Sequence, residues 1–562
     1  MQKNQKPWPL YLLAIMLLNL LQSFCTELAH DEAYYWMYSQ NLDWGYFDHP
    51  PAIAVLIGLG YTLLENELGV RLFVVLANLL TIYLMFRITK PDKPSLFFVL
   101  LMSCVIAHFG FFAAPDIPLL LTVALFFFFY QRYVKKYDWK NALLLGLTIA
   151  AMGYSKYHGI VVLVSVLLSN FDLLKKKTFY LAVLIAVLSY APHLYWQYLH
   201  DFPTFRFHLF DRSAEAYTIA FVGEYVLGQL LIFGPLIGFL LFWAAFKFTS
   251  RDVFERSLRF SFFGIFGFFL LSSLKGRVEP NWTAMAMVPL IYMSYHYISK
   301  QTKLTTWAYR LAIPSFLLIM AFRLILVVEV LPQKIFPLAA EFHGWKDWAE
   351  DLSSAVGDRP ALFINSYQRA AKFSFYGNSQ GFAINNAGYA GSQYDLLIEE
   401  QEELQTREVA IVHLVDHRKK GIWLGTKDKV NLELLDHFYF YNRLKVKTTV
   451  LPEVLEIGAS ISVAFEVCNP TNKTVQLRGN KKRPLSVGYM MLNVKQWAGQ
   501  SQHRVPFEVD EIKAGDCIPM RIPLTAPDQP GQYRYRMSIY NGVYDERNDN
   551  FHPLEVIAKK EK

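Results

Sequence analysis

"DWGYFDHPP", residues 43–51, crowds three ionisable side chains, three aromatic rings and a Pro-Pro pair between two apolar stretches. The segment is too polar for lipid and too short to fold alone, so it reads as a loop held by its neighbours. Around it, from Leu28 to Gly69, the sequence contains no Lys or Arg. Apolar runs near the roughly 17–25 residues that cross a bilayer recur from about Trp8 to Val328, and none follows from Leu331 to Lys562.

Composition agrees with a membrane protein: 53% of residues are hydrophobic, 16% aromatic and only 18% charged. A net charge of +8 would fit nucleic acid only if the basic residues gathered on a soluble face, and many of them instead end apolar runs. The first run, Trp8 to Glu27, continues into "QSFCTELAH" without a small-residue cleavage site, which predicts an uncleaved helix rather than a signal peptide.

Lys and Arg mark one set of loops: Lys3 and Lys6; Arg87, Lys90 and Lys93; Arg132 to Lys140; Lys175 to Lys177; Lys247 to Arg259; and Lys300 to Arg310. The positive-inside rule makes these cytoplasmic. Spans near 8–27, 70–89, 94–113, 117–133, 140–154, 159–171, 178–198, 223–247, 258–274, 281–299 and 308–328 then give about eleven crossings, an inner N-terminus and an outer C-terminus. "DWGYFDHPP" falls in the first outer loop. "HDEAYYWMYSQNL" before it suits a helix at headgroup level, and "PAIAVLIGLGYTLLENELG" after it reads as a second interfacial helix, because another crossing would invert every later loop.

The C-terminal part divides by pattern. In residues 331–450, strand-like runs such as "PALFINS" and "EVAIVHLV" alternate with polar helical stretches, which predicts a small α/β domain. In residues 451–562, runs such as "ASISVAFEVCNP" and "GQYRYRMSIYNG" between Gly, Pro and Asn turns predict an immunoglobulin-like or fibronectin-like β-sandwich. Cys468 and Cys517 both lie in it, in an outer compartment where a disulfide is allowed. The fold class expected is thus a polytopic α-helical membrane domain over residues 1–330, with its catalytic first outer loop at 28–69, followed by the two extracytoplasmic modules.

"HDEAYYWMYSQNLDWGYFDHPPAIAVLIG", followed by "APDIPLLL", "YSKYHGIVVL", "APHLYWQYLHDFPTFRFHLFDR", "EPNWTA" and "SYQRAAKFSFYG…SQYDLL", resembles the bacterial branch of the protein-mannosyltransferase and aminoarabinose-transferase superfamily. These are GT-C glycosyltransferases that use polyprenyl-phosphate sugars. The resemblance runs over roughly residues 8–400 and rests on the order and spacing of the motifs. It implies that Asp31 of the "DE" pair is the catalytic base, that Asp116 of "APDIP" joins it, and that the helix after Tyr367 leans over the active site. In relatives, Lys often stands where this chain has His49.

The chemistry requires a base for the acceptor hydroxyl and cations for the departing phosphate. Asp31 is expected as base with Glu32 as an orienting or metal-linked partner, although an acidic pair also suits the positive end of a helix. Asp48 and His49, restrained by the prolines, are expected over the membrane cavity, Asp48 to contact substrate and His49 to bind phosphate when protonated, or the two to ligate a divalent metal, or else to form a plain turn. Lys156, Arg206, His208 and Arg277 are further candidates for the donor phosphate, with Arg212 and Lys275 beside them, and helix-end anchoring as the alternative use of such residues. Tyr35, Tyr46, Tyr367, Gln393 and Tyr394 are assigned to substrate contact, with a structural role as the equal alternative for the aromatics of "SYQRAAKFSFYG" and "SQYD".

The function expected is an inverting glycosyltransferase that moves a sugar from undecaprenyl phosphate to lipid A, a glycan or a protein on the outer face of the cytoplasmic membrane, with no nucleotide cofactor and no nucleic-acid partner. A transporter would tend to show repeat symmetry and sites at the midplane. A hydrolase needs paired carboxylates and a water, and a glycan-assembly protein is supported only by the β module.

Overall fold

The computed structural model describes residues 8–208, 218–329, 336–337, 339–415, 422–424, 427–448, 452–478, 484–493 and 499–558. Arg212 lies outside them. Two compact units are present, one formed by the described residues up to Trp345 and the other from Lys346 onward. The α/β and all-β parts of the C-terminal region therefore belong to one unit, and the boundary falls later than residue 330.

The first unit is helical throughout. Trp8–Cys25, Glu67–Thr89, Lys177–Leu199 and Thr302–Val327 are each long and apolar enough to cross a membrane. Pro94–Met102 and Val105–Phe111 form an apolar pair bent by 91°, the geometry of a broken span or a re-entrant loop. Helices occupy the remaining expected spans as well, among them Asp116–Tyr133, Trp139–Ser155, Gly159–Ser169, Val253–Ser272 and Met287–Ile298. The span expected at 223–247 is two helices, Ala220–Ile232 and Gly238–Lys247, separated by Gly234 at φ 131° and Pro235. Only glycine adopts that backbone conformation readily, so the break is written into the sequence.

Side-chain caps fix several starts. Asn66, Asp138 and Asp252 accept hydrogen bonds from the backbone N–H of Gly69, Asn141 and Glu255, at 3.1, 2.9 and 2.8 Å. Two short helices, His30–Gln40 and Ala52–Tyr61, flank "DWGYFDHPP" as expected. The second turns back on Glu67–Thr89 through a pair of glycines: a Cβ on Gly60 would lie 2.1 Å from the carbonyl oxygen of Gly69.

The second unit holds a mixed five-stranded sheet. Ala361–Ile364 lies between parallel partners Gly381–Ile384 and Val409–Leu414, and the antiparallel strands Asp428–Leu435 and Ile422–Leu424 complete it. Beyond it, Ser486–Asn493, Gly499–Pro506, Gly531–Tyr540, His552–Ile557 and Val454–Glu456 form one sheet, and Cys517–Thr525, Ser460–Cys468 and Lys445–Thr448 another. Val463, Phe465 and Val467 of the second sheet share a buried core with Val487, Tyr489, Tyr535, Met537 and Ile539 of the first, which makes this a two-sheet sandwich. Cys468 and Cys517 face each other in register and form a disulfide across 49 residues.

Closing a loop of that length removes about 4 kcal/mol of unfolded-chain entropy. Replacing both cysteines by Ser should therefore leave the apolar unit inserted while the sandwich becomes sensitive to protease. Equal protease resistance with and without the disulfide would show that the bridge adds nothing.

Candidate active site

Helix His30–Gln40 places its residues on two faces. Residues 31, 34, 35 and 38 share one, following the i, i+3, i+4, i+7 rule, and Glu32 points about 100° away. Glu32 is fully buried. Its Oε2 meets Arg71 Nη2 at 2.5 Å and its Oε1 accepts from Arg71 Nε and the Ala113 N–H, both at 2.8 Å. The Ala29 N–H donates to Oε2 at 2.9 Å. Of the orienting or metal-linked role expected of Glu32, the structure shows a structural partner: both oxygens are spent on the Arg71 guanidinium and two backbone amides.

Asp31 is exposed in the first turn of the same helix. Below it on that face, the Tyr35 ring meets His49 edge-on at 5.5 Å and the buried Tyr38 hydroxyl donates to Asp48 Oδ1. His208 Nε2 donates to the Asp48 carbonyl at 3.0 Å, and the His49 and His208 rings are 6.4 Å apart. Asp31, Tyr35, Asp48, His49 and His208 thereby fall on one side of the loop. Burial raises the Tyr38 phenol well above its ordinary pKa, with the Asp48 charge adding to it, so it acts as a donor.

Tyr46 belongs elsewhere. It is buried, its hydroxyl donates to the carbonyls of Tyr38 at 2.9 Å and Asn41 at 3.2 Å, and its ring stacks on Tyr38 at 4.2 Å. The substrate contact expected of it is corrected to a loop brace.

Helix Lys177–Leu199 clamps the loop from the other side. A carbonyl only accepts, so His193 Nδ1 donates to the Trp44 carbonyl at 2.6 Å, and Nε2 accepts from the Tyr157 hydroxyl at 2.8 Å. Gln197 Nε2 bridges Tyr157 and Thr204 at 3.2 and 2.7 Å, and Thr204 donates to the Tyr46 carbonyl at 3.0 Å. Trp196 donates to Asp43 Oδ2 at 2.6 Å, and its ring lies so close to Gly45 that a Cβ there would be 2.4 Å away.

Asp116 and Lys156 are brought together. Lys156 Nζ donates to Asp116 Oδ1 at 2.8 Å and Asn281 Nδ2 to Oδ2 at 3.0 Å, with Lys156 and Asp116 only 5% and 6% exposed. Lys156 is therefore held by a carboxylate rather than standing open for phosphate. Arg206 is exposed. Arg277 is exposed between Glu224 and Glu279, 3.8 Å from each.

An apolar groove of about 620 Å³ runs beside the loop. Its walls are Leu42, Trp44, Pro51, Val55, Pro118, Leu121, Ala151 and Tyr154, with Thr122, Ser155 and Asp43 the polar exceptions among the lining residues. Pro118 and Ser155 lie within two residues of Asp116 and Lys156. Among the described residues, no trio of His, Cys, Asp or Glu ligand atoms converges on Asp48 and His49.

In the second unit, Tyr367 opens helix Tyr367–Tyr376. Tyr394 is 2% exposed, packed against Phe382 at 5.1 Å, and Gln393 beside it is buried. Substrate contact by Tyr394 and Gln393 is corrected to a place in the α/β core.

This is the fold of a polytopic GT-C protein. Residues 48–196 match the model of the family described as dolichyl-phosphate-mannose-protein mannosyltransferase. A lipid A galacturonosyltransferase, RgtD, of Rhizobium johnstonii is 25% identical over 339 residues, 58% of this chain and 68% of that one. Crystal structures of ArnT from Cupriavidus metallidurans share the fold. The apo form has a TM-score of 0.53 at 13% identity, covering 72% of this chain and 92% of ArnT. The form bound to undecaprenyl phosphate has 0.55 at 12%, covering 76% and 98%. The chain resembles the ArnT-like GT-C glycosyltransferases.

Arg71 and Asn281 escaped the sequence reading. An Arg in the first turn of an apolar helix was a signal for the former, whereas nothing near "EPNW" singled out its Asn. Arg71→Met should strand the buried Glu32 carboxylate and cost about 3–5 kcal/mol, read as loss of monodisperse protein in detergent. Glu32→Met with Arg71→Met should recover most of it. A double variant no better than the single would refute the pairing.

Proposed function

We propose that the protein is an inverting glycosyltransferase that moves a sugar from a polyprenyl-phosphate donor to a cell-envelope acceptor at the outer face of the cytoplasmic membrane. The carrying observation is the exposed Asp31 carboxylate on the helical face whose Tyr35 and Tyr38 meet His49 and Asp48, on a loop that also lines an apolar groove. A groove of apolar walls suits an isoprenoid chain, and the relative crystallised with undecaprenyl phosphate supports that lipid. The name of the Rhizobium relative supports lipid A as acceptor.

In the reaction, the acceptor oxygen bonds to the anomeric carbon as that carbon's bond to the phosphate oxygen breaks. Asp31 takes the hydroxyl proton, and the polyprenyl phosphate leaves with the bonding electrons. One displacement inverts the configuration. His49, His208 and Arg206 are the cations assigned to the leaving phosphate, and Asp48 is oriented by Tyr38 to meet the sugar. The eleven crossings, the outer position of the C-terminal unit and a lipid-linked donor belong to the same reading. The disulfide supports an oxidising side for that unit.

Transfer of label from a panel of undecaprenyl-phosphate sugars into membrane fractions tests it. Wild type should label a lipid, glycan or protein fraction, and Asp31→Asn at matched expression should lower the rate at least a thousandfold while still binding undecaprenyl phosphate. Equal transfer by both proteins would remove Asp31 from the chemistry.

A further inference from the structure

The pair of Asp116 and Lys156 has a third member at the surface. Asn281 lies in the 3₁₀ turn Pro280–Ala286 and is exposed, yet its Nδ2 reaches the nearly buried Asp116 carboxylate at 3.0 Å. That contact settles which way the amide faces. Asp116 is joined to Lys156 at 2.8 Å, and a carboxylate oxygen in such a pair accepts, so the NH₂ group must point inward and Oδ1 outward. Among the described residues no group donates to Oδ1.

The turn itself is held firmly. Trp282 packs against His158 at 5.2 Å and Phe269 at 5.9 Å, and the Thr283 hydroxyl donates to Gln229 Oε1. A fixed, outward-facing acceptor over a buried ion pair is the arrangement that reads a hydroxyl, because an asparagine free to flip would offer donor and acceptor alike.

We propose that Asn281 is a substrate-binding residue whose Oδ1 accepts a hydroxyl of the transferred sugar, with Asp116 and Lys156 setting the orientation of its amide. This rests on the transferase reading. It gives Asp116 and Lys156 a use that requires neither to leave the other: they hold the amide that touches the sugar.

The test uses full-length protein in detergent, Asn281→Leu, which keeps the volume and removes both hydrogen bonds, and Asn281→Asp, which keeps an outward acceptor but cannot donate to Asp116. Binding of undecaprenyl phosphate is compared with binding of undecaprenyl-phosphate sugars, and turnover is measured with the latter. Asn281→Leu should weaken the sugar-bearing lipid about tenfold, the scale of one lost hydrogen bond, and leave the bare lipid unchanged. KM should rise by the same factor with kcat within threefold. A purely structural residue would instead lower active protein and kcat together.

Asn281→Asp puts a carboxylate against Asp116 where wild type has a donor, so it should also weaken the sugar-bearing lipid and leave the bare lipid unchanged. Wild type that binds and transfers while both variants match it overturns the assignment to Asn281 alone. Wild type that binds neither lipid overturns the transferase reading and this assignment with it.

Discussion

The buried pair of Glu32 and Arg71 sets the frame for the site. A guanidinium at this depth survives only if its charge is met and its N–H groups are used. Arg71 does both: Nε and Nη2 reach Glu32, Nη1 reaches the carbonyls of Ser23 and Thr26 at 3.0 and 2.8 Å, and Nη2 also reaches the Glu27 carbonyl at 2.8 Å. Those carbonyls end the first membrane helix, where the helix itself has no donors left for them. One side chain therefore joins the end of Trp8–Cys25, the start of His30–Gln40 and the helix Glu67–Thr89, and Glu32 extends the link to the Ala113 N–H. Glu32 turns inward to that pair, while its neighbour Asp31 is exposed.

A second buried guanidinium solves the same problem without a carboxylate. Arg323 donates to Asn19 Oδ1 at 2.9 Å, Gln22 Oε1 at 3.2 Å and the His108 carbonyl at 3.1 Å. The two cations flank Phe111, 5.8 and 5.0 Å from its ring centre. The ring's negative faces and the neutral acceptors share the work of solvation, and the bent segment that carries Phe111 is fixed between the first and last membrane helices.

What the sequence made legible follows from how local each signal is. Apolar runs and the alternation of the β strands are local signals, and helices and strands lie on them, apart from the break at Gly234 in the span expected at 223–247. The polar stretch at 43–51 was legible as a loop but not as one gripped from two sides, because its partners Tyr38, His193, Trp196 and Thr204 are scattered over the chain. The same distance hid Asn281 from Asp116, 165 positions away. Tyr46 and Tyr394 were assigned to substrate because an aromatic beside polar motifs looks the same in a core as in a site. Glu32 and Asp31 are adjacent in sequence, and the helical rotation between them puts one in the buried ion pair and leaves the other exposed.

Once the pairs are drawn, few cations remain for an anionic donor. Lys156 is held by Asp116, and Arg277 stands between two glutamates. Among the described residues around the loop, the basic side chains also include His49, His208 and the exposed Arg206. Imidazoles lose their charge near neutrality unless a negative group holds the proton. Asp48 is next to His49 in the chain, and His208 bonds to the Asp48 carbonyl, so the carboxylate and the arriving phosphate would act on these two rings together. In the proposed reaction the substrate's own charge thus helps to create the cationic site that receives it. A Lys at position 49 would carry its charge throughout the physiological range, whereas a His there carries one only when protonated.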